Sequence, residues 1–366
     1  MSIRYPVYQP NIGEEEKANV LECLDSTWIS SKGKFITQFE EDFARIQSSK
    51  YAISVCNGTV ALHVALLALG IGPGDEVLVP SFTYIASVNA IAYTGAKPVF
   101  VDITEDGLLI NPREISKHIN QRTKAIMAVH LYGDSCDMHM ISEIAIKHGL
   151  FIIEDCAEAL GTKFNNQPVG TFGHISTFSF FGNKTITTGE GGMITTNDSK
   201  LYNLARRLKG QGLADGMEYW HDILGYNYRM TNICAAIGVA QIKKIDQNIS
   251  KKRALAFQYF DELQDLNIQL PRKSKEVFHT YWMFNILLEN EEIRKALREY
   301  LIQKGIETRP SFYPAHQMPM YNGQKDLDLP VTESISSRGI NLPSYPELGK
   351  EDISFISEQI HSFYRS

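Results

Sequence analysis

One lysine in this sequence sits where carbonyl chemistry would want an amine. In T-F-S-F-F-G-N-K-T-I-T-T-G-E-G-G-M-I-T-T, Thr177 to Thr196, an alternating run is cut short by Gly182. Lys184 follows, then Gly189, Gly191 and Gly192, and then a second short strand. An amine on a glycine-bounded turn between strands can form an imine with an aldehyde. A polar hairpin with a solvated lysine carries the same signature. Three further clusters could complete a site. Cys56-Asn57-Gly58-Thr59 is a strand end, a glycine turn and a helix start, where backbone N–H groups attract an anion and Gly58 admits a phosphate closely. By itself the tetrapeptide reads more simply as a plain helix cap. Ser81-Phe82-Thr83-Tyr84 closes the next strand, with Tyr84 able to lie on a flat ring or simply to pack. Glu154-Asp155-Cys156-Ala157-Glu158 follows an apolar strand; its acids could keep a pyridine nitrogen protonated or merely favour a helix start.

The order of these clusters says more than any one of them. A phosphate-type turn, a ring-facing aromatic, a strand-end aspartate, then Ser179 and Lys184 fit pyridoxal phosphate, whose aldehyde needs an amine and whose ring nitrogen needs an acid. No dinucleotide fingerprint competes, because Gly70, Gly72 and Gly74 have the wrong third spacing and precede a strand.

The elements that must position these residues follow from periodicity. Two helical patterns, Glu14 to Leu24 and Phe35 to Ile46, flank the loop T-W-I-S-S-K-G-K. Strands are predicted at Tyr51–Val55, Glu76–Pro80, Pro98–Asp102, Ala125–His130 and Phe151–Glu154, with helices between them. That rhythm requires an α/β fold with a mostly parallel sheet covered on both faces. After the lysine stretch come a short helix, a polar and aromatic loop from Gln211 to Tyr228, and a helical pattern from Thr231 towards Leu266 with a break near Gln247 to Ser250. The remainder, with a strand at Thr280–Leu288 and helices at Ile293–Lys304 and Asp352–Phe363, predicts a smaller α+β domain. The expected division is 1–250 and 251–366.

Composition narrows the function classes. With 366 residues and a net charge of -6, the chain lacks the clustered basic surface that nucleic-acid binding requires. Its five cysteines are odd in number and scattered, which predicts reduced thiols in a cytoplasmic protein. No stretch reaches the roughly 18 apolar residues of a membrane span, and the amino terminus has no signal-peptide core. The histidines include no H-E-x-x-H, so no metal is assigned.

The motifs T-W-I-S-S-K-G-K, N-G-T-V-A-L-H, P-S-F-T-Y-I-A-S, A-I-M-A-V-H-L-Y-G, I-E-D-C-A-E-A, the lysine stretch, G-Y-N-Y-R-M-T-N-I-C-A-A-I-G and N-L-P-S span nearly the whole chain. In them it resembles the DegT/StrS-type sugar aminotransferases, and within that group it is most similar to the GDP-perosamine synthases. The resemblance implies a fold-type I architecture with a seven-stranded mixed sheet and a small carboxyl-terminal domain. It implies that Lys184 forms the imine with pyridoxal phosphate, that Asp155 pairs with the pyridine nitrogen, and that Tyr84 lies on a ring face with Glu158 near the ring hydroxyl. Gly58, Thr59 and Ser179 would hold the phosphate with the partner subunit's Asn227, in a homodimer with shared sites; pairing of dimers into tetramers stays open. L-glutamate would load the cofactor as pyridoxamine phosphate, which would then aminate GDP-4-keto-6-deoxymannose to GDP-perosamine for a surface polysaccharide such as O-antigen.

Substrate contacts are expected from Glu307 to Tyr321: Arg309 for a pyrophosphate, with Tyr313, His316 and Tyr321 near sugar or base. Packing within a proline-rich loop is the plain alternative. Ser30 and Lys32 are further candidates. A UDP- or dTDP-linked keto sugar is the nearest competing substrate. Sugar 3-dehydratases resemble the chain but carry histidine where Lys184 stands, and a non-catalytic cofactor-binding regulator is the alternative outside enzymology.

Overall fold

The structure, a computed structural model, describes residues 3–323 and 327–365. Helices α1 (Glu14–Asp25) and α2 (Lys34–Ile46) come first. α2 buries Phe35, Phe39 and Phe43, spaced four apart so that they share one helical stripe. Phe39 and Phe43 meet Phe180 at 5.1 and 5.4 Å between ring centroids, and Phe43 meets Phe178 at 5.0 Å. The stripe thereby pins the chain that leads to Lys184.

From Tyr51 strands and helices alternate: β1 (Tyr51–Val55), α3 (Gly58–Ala68), β2 (Glu76–Pro80), α4 (Ile85–Tyr93), β3 (Lys97–Val101), α5 (Pro112–Ile115), β4 (Thr123–Val129), α6 (Met138–His148) and β5 (Phe151–Asp155). A small hairpin, β6 (Lys163–Phe164) and β7 (Gln167–Pro168), precedes β8 (Ile175–Ser179) and β9 (Gly192–Thr196). The main sheet has seven strands in the order β1-β9-β8-β5-β4-β2-β3. β2, β3, β4, β5 and β8 pair in parallel, whereas β9 runs antiparallel to both β1 and β8. Strands covered on both faces must be apolar throughout, and Val77 to Val79 and Ala125 to Met127 are accordingly fully buried. The expected mixed, mostly parallel seven-stranded sheet is the one observed.

The second half contains α7 (Ser199–Lys209), α8 (Asn232–Ile242), α9 (Ile245–Leu263), β10 (Val277–Phe278), β11 (Phe284–Leu287), α10 (Glu291–Gln303), β12 (Arg309–Pro310), α11 (Pro330–Arg338), β13 (Gly339–Leu342) and α12 (Lys350–Arg365). The helix break falls at Lys243 and Lys244 rather than at 247–250. α9 then crosses position 250 without interruption. Its first turns, Ile245 and Ile249, pack with α2 and α8, while Leu255, Ala256, Tyr259, Phe260 and Leu263 build a separate carboxyl-terminal core. The strand expected at 280–288 is shorter, because Tyr281 has φ 49°, a left-handed conformation that no strand accommodates. α11 buries only Thr332, Ile335 and Ser336, too few apolar residues to leave a helical stripe in the sequence. The amino-terminal strap joins both regions: Tyr5 bridges to Ile306 and sits in the carboxyl-terminal core, while Val7 is buried in the core around the main sheet.

Candidate active site

The carboxyl ends of β1, β2, β4, β5 and β8 open into one cavity of about 510 Å³, the place where parallel sheets present ligand sites. After β1, the Asn57 side chain caps α3 by accepting from the Val60 N–H at 3.0 Å. Gly58 and Thr59, in the first turn of α3, line the cavity with Ser179. A Cβ on Gly58 would stand 2.9 Å from the Ser179 Cβ, and one on Gly192 only 2.5 Å from the Asn57 carbonyl oxygen. Glycine at these two positions lets β8, β9 and the α3 turn close into a cradle at a helix amino terminus.

Asp155 ends β5 and is buried. Ser87, in the first turn of α4, donates to its Oδ2 at 2.7 Å, and the Ala157 N–H donates to Oδ1 at 3.1 Å. Burial raises the Asp155 carboxyl above its ordinary range, while Ser87, Ala157 and the Lys184 charge pull it back. Glu158 is raised by burial too, with Lys184 the largest opposing influence. Two buried acids lifted in this way favour a cation or a bound proton beside them.

Lys184 lies on the turn after β8, its N–H donating to the Phe181 carbonyl at 3.0 Å. The Tyr8 hydroxyl donates to the Lys184 carbonyl at 2.5 Å, so the amino-terminal strap fixes this turn from outside the sheet. Lys184 Nζ is 3.4 Å from Glu158 Oε1, and the other Glu158 oxygen accepts from the Tyr132 N–H at 3.2 Å. Together these groups fit an aldehyde cofactor with a phosphate and a basic ring nitrogen. The glycine cradle suits the phosphate, the lifted acid at Asp155 suits a protonated ring nitrogen, and the Lys184 amine suits the aldehyde.

Gly58, Thr59, Tyr84, Asp155, Glu158, Ser179 and Lys184 therefore share one cavity wall. Arg309 is also on it, half exposed and 3.5 Å from Glu307. The other sequence candidates lie elsewhere in this chain. Tyr313 is exposed but off the lining. His316 is buried behind the cavity, with Nδ1 2.7 Å from the Ser81 hydroxyl and Nε2 3.1 Å from Glu333. Tyr321 donates to Asn89 at 2.7 Å and packs against Phe100. Asn227 accepts from Arg229 on the exposed 211–228 loop, outside the chain's own cavity. Ser30 and Lys32 are exposed and off the lining. Residues not singled out in the sequence complete the wall: Ser87, Tyr132 and Asn183, which lie inside quoted motifs, Phe312 in the Glu307 to Tyr321 segment, and Trp282. Only Ser87 carries a signal, three positions after Tyr84 in the first turn of a helix.

His130, Glu154 and Cys156 form one buried group with metal-ligand atoms close together, but the geometry commits those atoms otherwise. Glu154 accepts from the N–H groups of Gly170, Phe172 and Gly173 at 2.6, 2.8 and 2.6 Å. His130 Nδ1 accepts from the Cys136 N–H at 3.1 Å. Its Nε2 must then carry the proton donated to Glu154, also at 3.1 Å. This cluster ties the 170–173 loop to β5.

Comparison with known proteins matches residues 10–361 to the DegT/DnrJ/EryC1/StrS aminotransferase family. The chain is 57% identical over 359 residues to a GDP-perosamine synthase of Escherichia coli O157:H7, covering 98% of each chain. It is 49% identical to a GDP-perosamine synthase of Vibrio cholerae, covering 98% of this chain and 99% of that one. Among solved structures it resembles Spr1654 of Streptococcus pneumoniae in its PLP form, with a TM-score of 0.93, 26% identity and 98% of each chain covered.

Proposed function

The chain belongs to the DegT/DnrJ/EryC1/StrS aminotransferase family, and we propose that within it the protein transfers the amino group of L-glutamate to C4 of GDP-4-keto-6-deoxymannose, using pyridoxal phosphate and forming GDP-perosamine. The observation that carries this reading is the single cavity in which Lys184, Asp155 and Glu158 meet the amino end of α3. The choice of sugar nucleotide rests on what the E. coli and V. cholerae relatives are named for.

When bound, pyridoxal phosphate supplies an aldehyde that takes up the amino group and a ring that accepts the electron pair left when a C–H bond breaks. The chain's own residues do the rest. Asp155, held by Ser87, keeps a proton at the ring nitrogen; Gly58, Thr59 and Ser179 hold the phosphate; Tyr84 covers a ring face. Lys184 Nζ removes the Cα proton of glutamate in one half-reaction and delivers a proton to C4 of the sugar in the other. Glu158, 3.4 Å away, keeps that amine directed into the cavity. Arg309, at the cavity wall, would meet the pyrophosphate, and Tyr313, His316 and Tyr321 belong to the loop that would shape the nucleotide end.

The reading includes a homodimer in which the partner subunit's Asn227 reaches the phosphate. The 211–228 loop supports it: Met217, Tyr219, Trp220 and Leu224 are all exposed there, more apolar surface than a solvated loop displays. It also includes a cytoplasmic enzyme that supplies an amino sugar for O-antigen. All five cysteines are free, and no described helix is long and apolar enough to cross a membrane. The division into regions 1–250 and 251–366 is kept as a functional one, with the second region closing over the cavity through Trp282, Arg309 and Phe312.

The test is a product assay over GDP-, UDP- and dTDP-linked 4-keto-6-deoxy sugars with L-glutamate and pyridoxal phosphate. Formation of 2-oxoglutarate and an amino sugar from the GDP-linked substrate, at least about tenfold faster than from the others, is expected. Preference for a UDP or dTDP substrate replaces the nucleotide. Lack of any amino sugar, with an imine absorbance band that glutamate leaves unchanged, leaves a passive binder.

A further inference from the structure

Lys184 has a companion that this mechanism does not use. Trp282 is buried on the segment between β10 and β11, about a hundred residues away in sequence, and its Nε1–H donates at 2.7 Å to the carbonyl of Asn183. The indole is thus tied to the very turn that carries the lysine. Tyr132 lies nearly parallel to it, at 6.5 Å and 10°. Lys184 Nζ stands 3.9 Å from the indole centroid, well inside the range at which a tryptophan face attracts an ammonium. The amine therefore has a π face and the Glu158 carboxylate as its two neighbours. These differ in one chemical respect: a carboxylate can take the proton, whereas an indole face cannot.

On the reading that Lys184 is the proton-carrying lysine, we propose that Trp282 is a positioning residue that holds Lys184 once the freed amine has taken up its proton, keeping that proton for the reacting carbon. Without that face, the ammonium would pair with the nearby acids alone, including Asp155, which must stay with the ring nitrogen.

The test follows the lysine directly. Trace acetylation of the full-length protein, cofactor-free and loaded with pyridoxamine phosphate, is measured against pH by mass spectrometry of the Lys184 peptide. The pH of half-labelling reports how strongly the surroundings hold the ammonium. Glu158, Asp155, Glu190 and Arg309 face or line the same space and remain unchanged in every variant. Trp282→Leu is expected to lower the half-labelling pH by roughly half to one unit, and Trp282→Phe by less. Should either variant fold poorly, replacing tryptophan by its mono-, di- and trifluoro analogues weakens the π face while keeping the shape. Trp28 and Trp220, the other two tryptophans, are off the cavity lining. A stepwise fall with fluorine number supports the proposal. An unmoved half-labelling pH across the fluorinated series overturns it, including where Trp282→Leu alone produces a shift, since packing would then explain that variant. Labelling needs no turnover, so this result stands apart from the outcome of the substrate assay.

Discussion

At the residue scale, the site works by setting buried acids against one amine. Asp155 and Glu158 are both lifted by burial, and Lys184 is the cation whose charge offsets both. Removing the amine should abolish chemistry without unfolding the chain, since the turn is also held by the Phe181 carbonyl and the Tyr8 hydroxyl. Lys184→Ala is therefore expected to fold, to lose the imine absorbance band, and to lose at least about 10²–10⁴ in turnover. Circular dichroism together with steady-state rates checks this, and near-normal turnover would contradict the assigned role.

The elements matter through how closely they approach one another. β8, β9 and the α3 turn come together because two glycines leave no side chain between them. In Gly58→Ala the new methyl meets the Ser179 Cβ at 2.9 Å, and relieving that contact costs about 1–3 kcal/mol. The cost falls on the cradle. Pyridoxal phosphate affinity, read by absorbance titration, should weaken by roughly tenfold or more, and the strain should also lower the urea midpoint. Glu154 acts on stability alone. It lies outside the cavity lining yet anchors the 170–173 loop through three backbone N–H groups and His130. Glu154→Gln places an amide donor against these donors and should destabilise the fold by about 3 kcal/mol. Urea unfolding is the measurement, and an unchanged midpoint would contradict the anchoring role.

Across the whole molecule, the amino-terminal strap couples the two cores to the lysine turn. Tyr8 bonds the Lys184 carbonyl and lies 5.2 Å from Lys252 Nζ. Lys252, wholly buried in α9, donates to the Ser344 carbonyl. Burial lowers its ammonium from the ordinary 10.5 to about 7, with Glu347 acting the other way. Between those two values the unfolded chain binds a proton that the folded chain does not. Stability should therefore rise with pH across this window, and the folded state bears the cost of the buried charge below about 7. Lys252→Met should flatten the rise between pH 7 and 10, seen as melting temperatures that converge with those of the wild type only at the alkaline end. Parallel curves for the two proteins would rule this out.

What the sequence determined by itself was local and repetitive. The alternation of buried strands and amphipathic helices from Tyr51 to Asp155 is written in periods of two and 3.6, and the glycines around Lys184 are written in the turn. Candidates at the strand ends, Gly58, Tyr84, Asp155 and Lys184, could be named because a parallel sheet puts such ends on one side. Periodicity states that a face is buried but not what covers it. Only the tertiary structure brought Trp282 onto Lys184, Tyr8 onto its carbonyl and Arg309 to the cavity wall, because these contacts join positions far apart in the sequence. The same long-range packing decided against a cavity position for His316, whose two ring nitrogens are engaged by Ser81 and Glu333. It also carries α9 through position 250, where the helical pattern alone suggested a break.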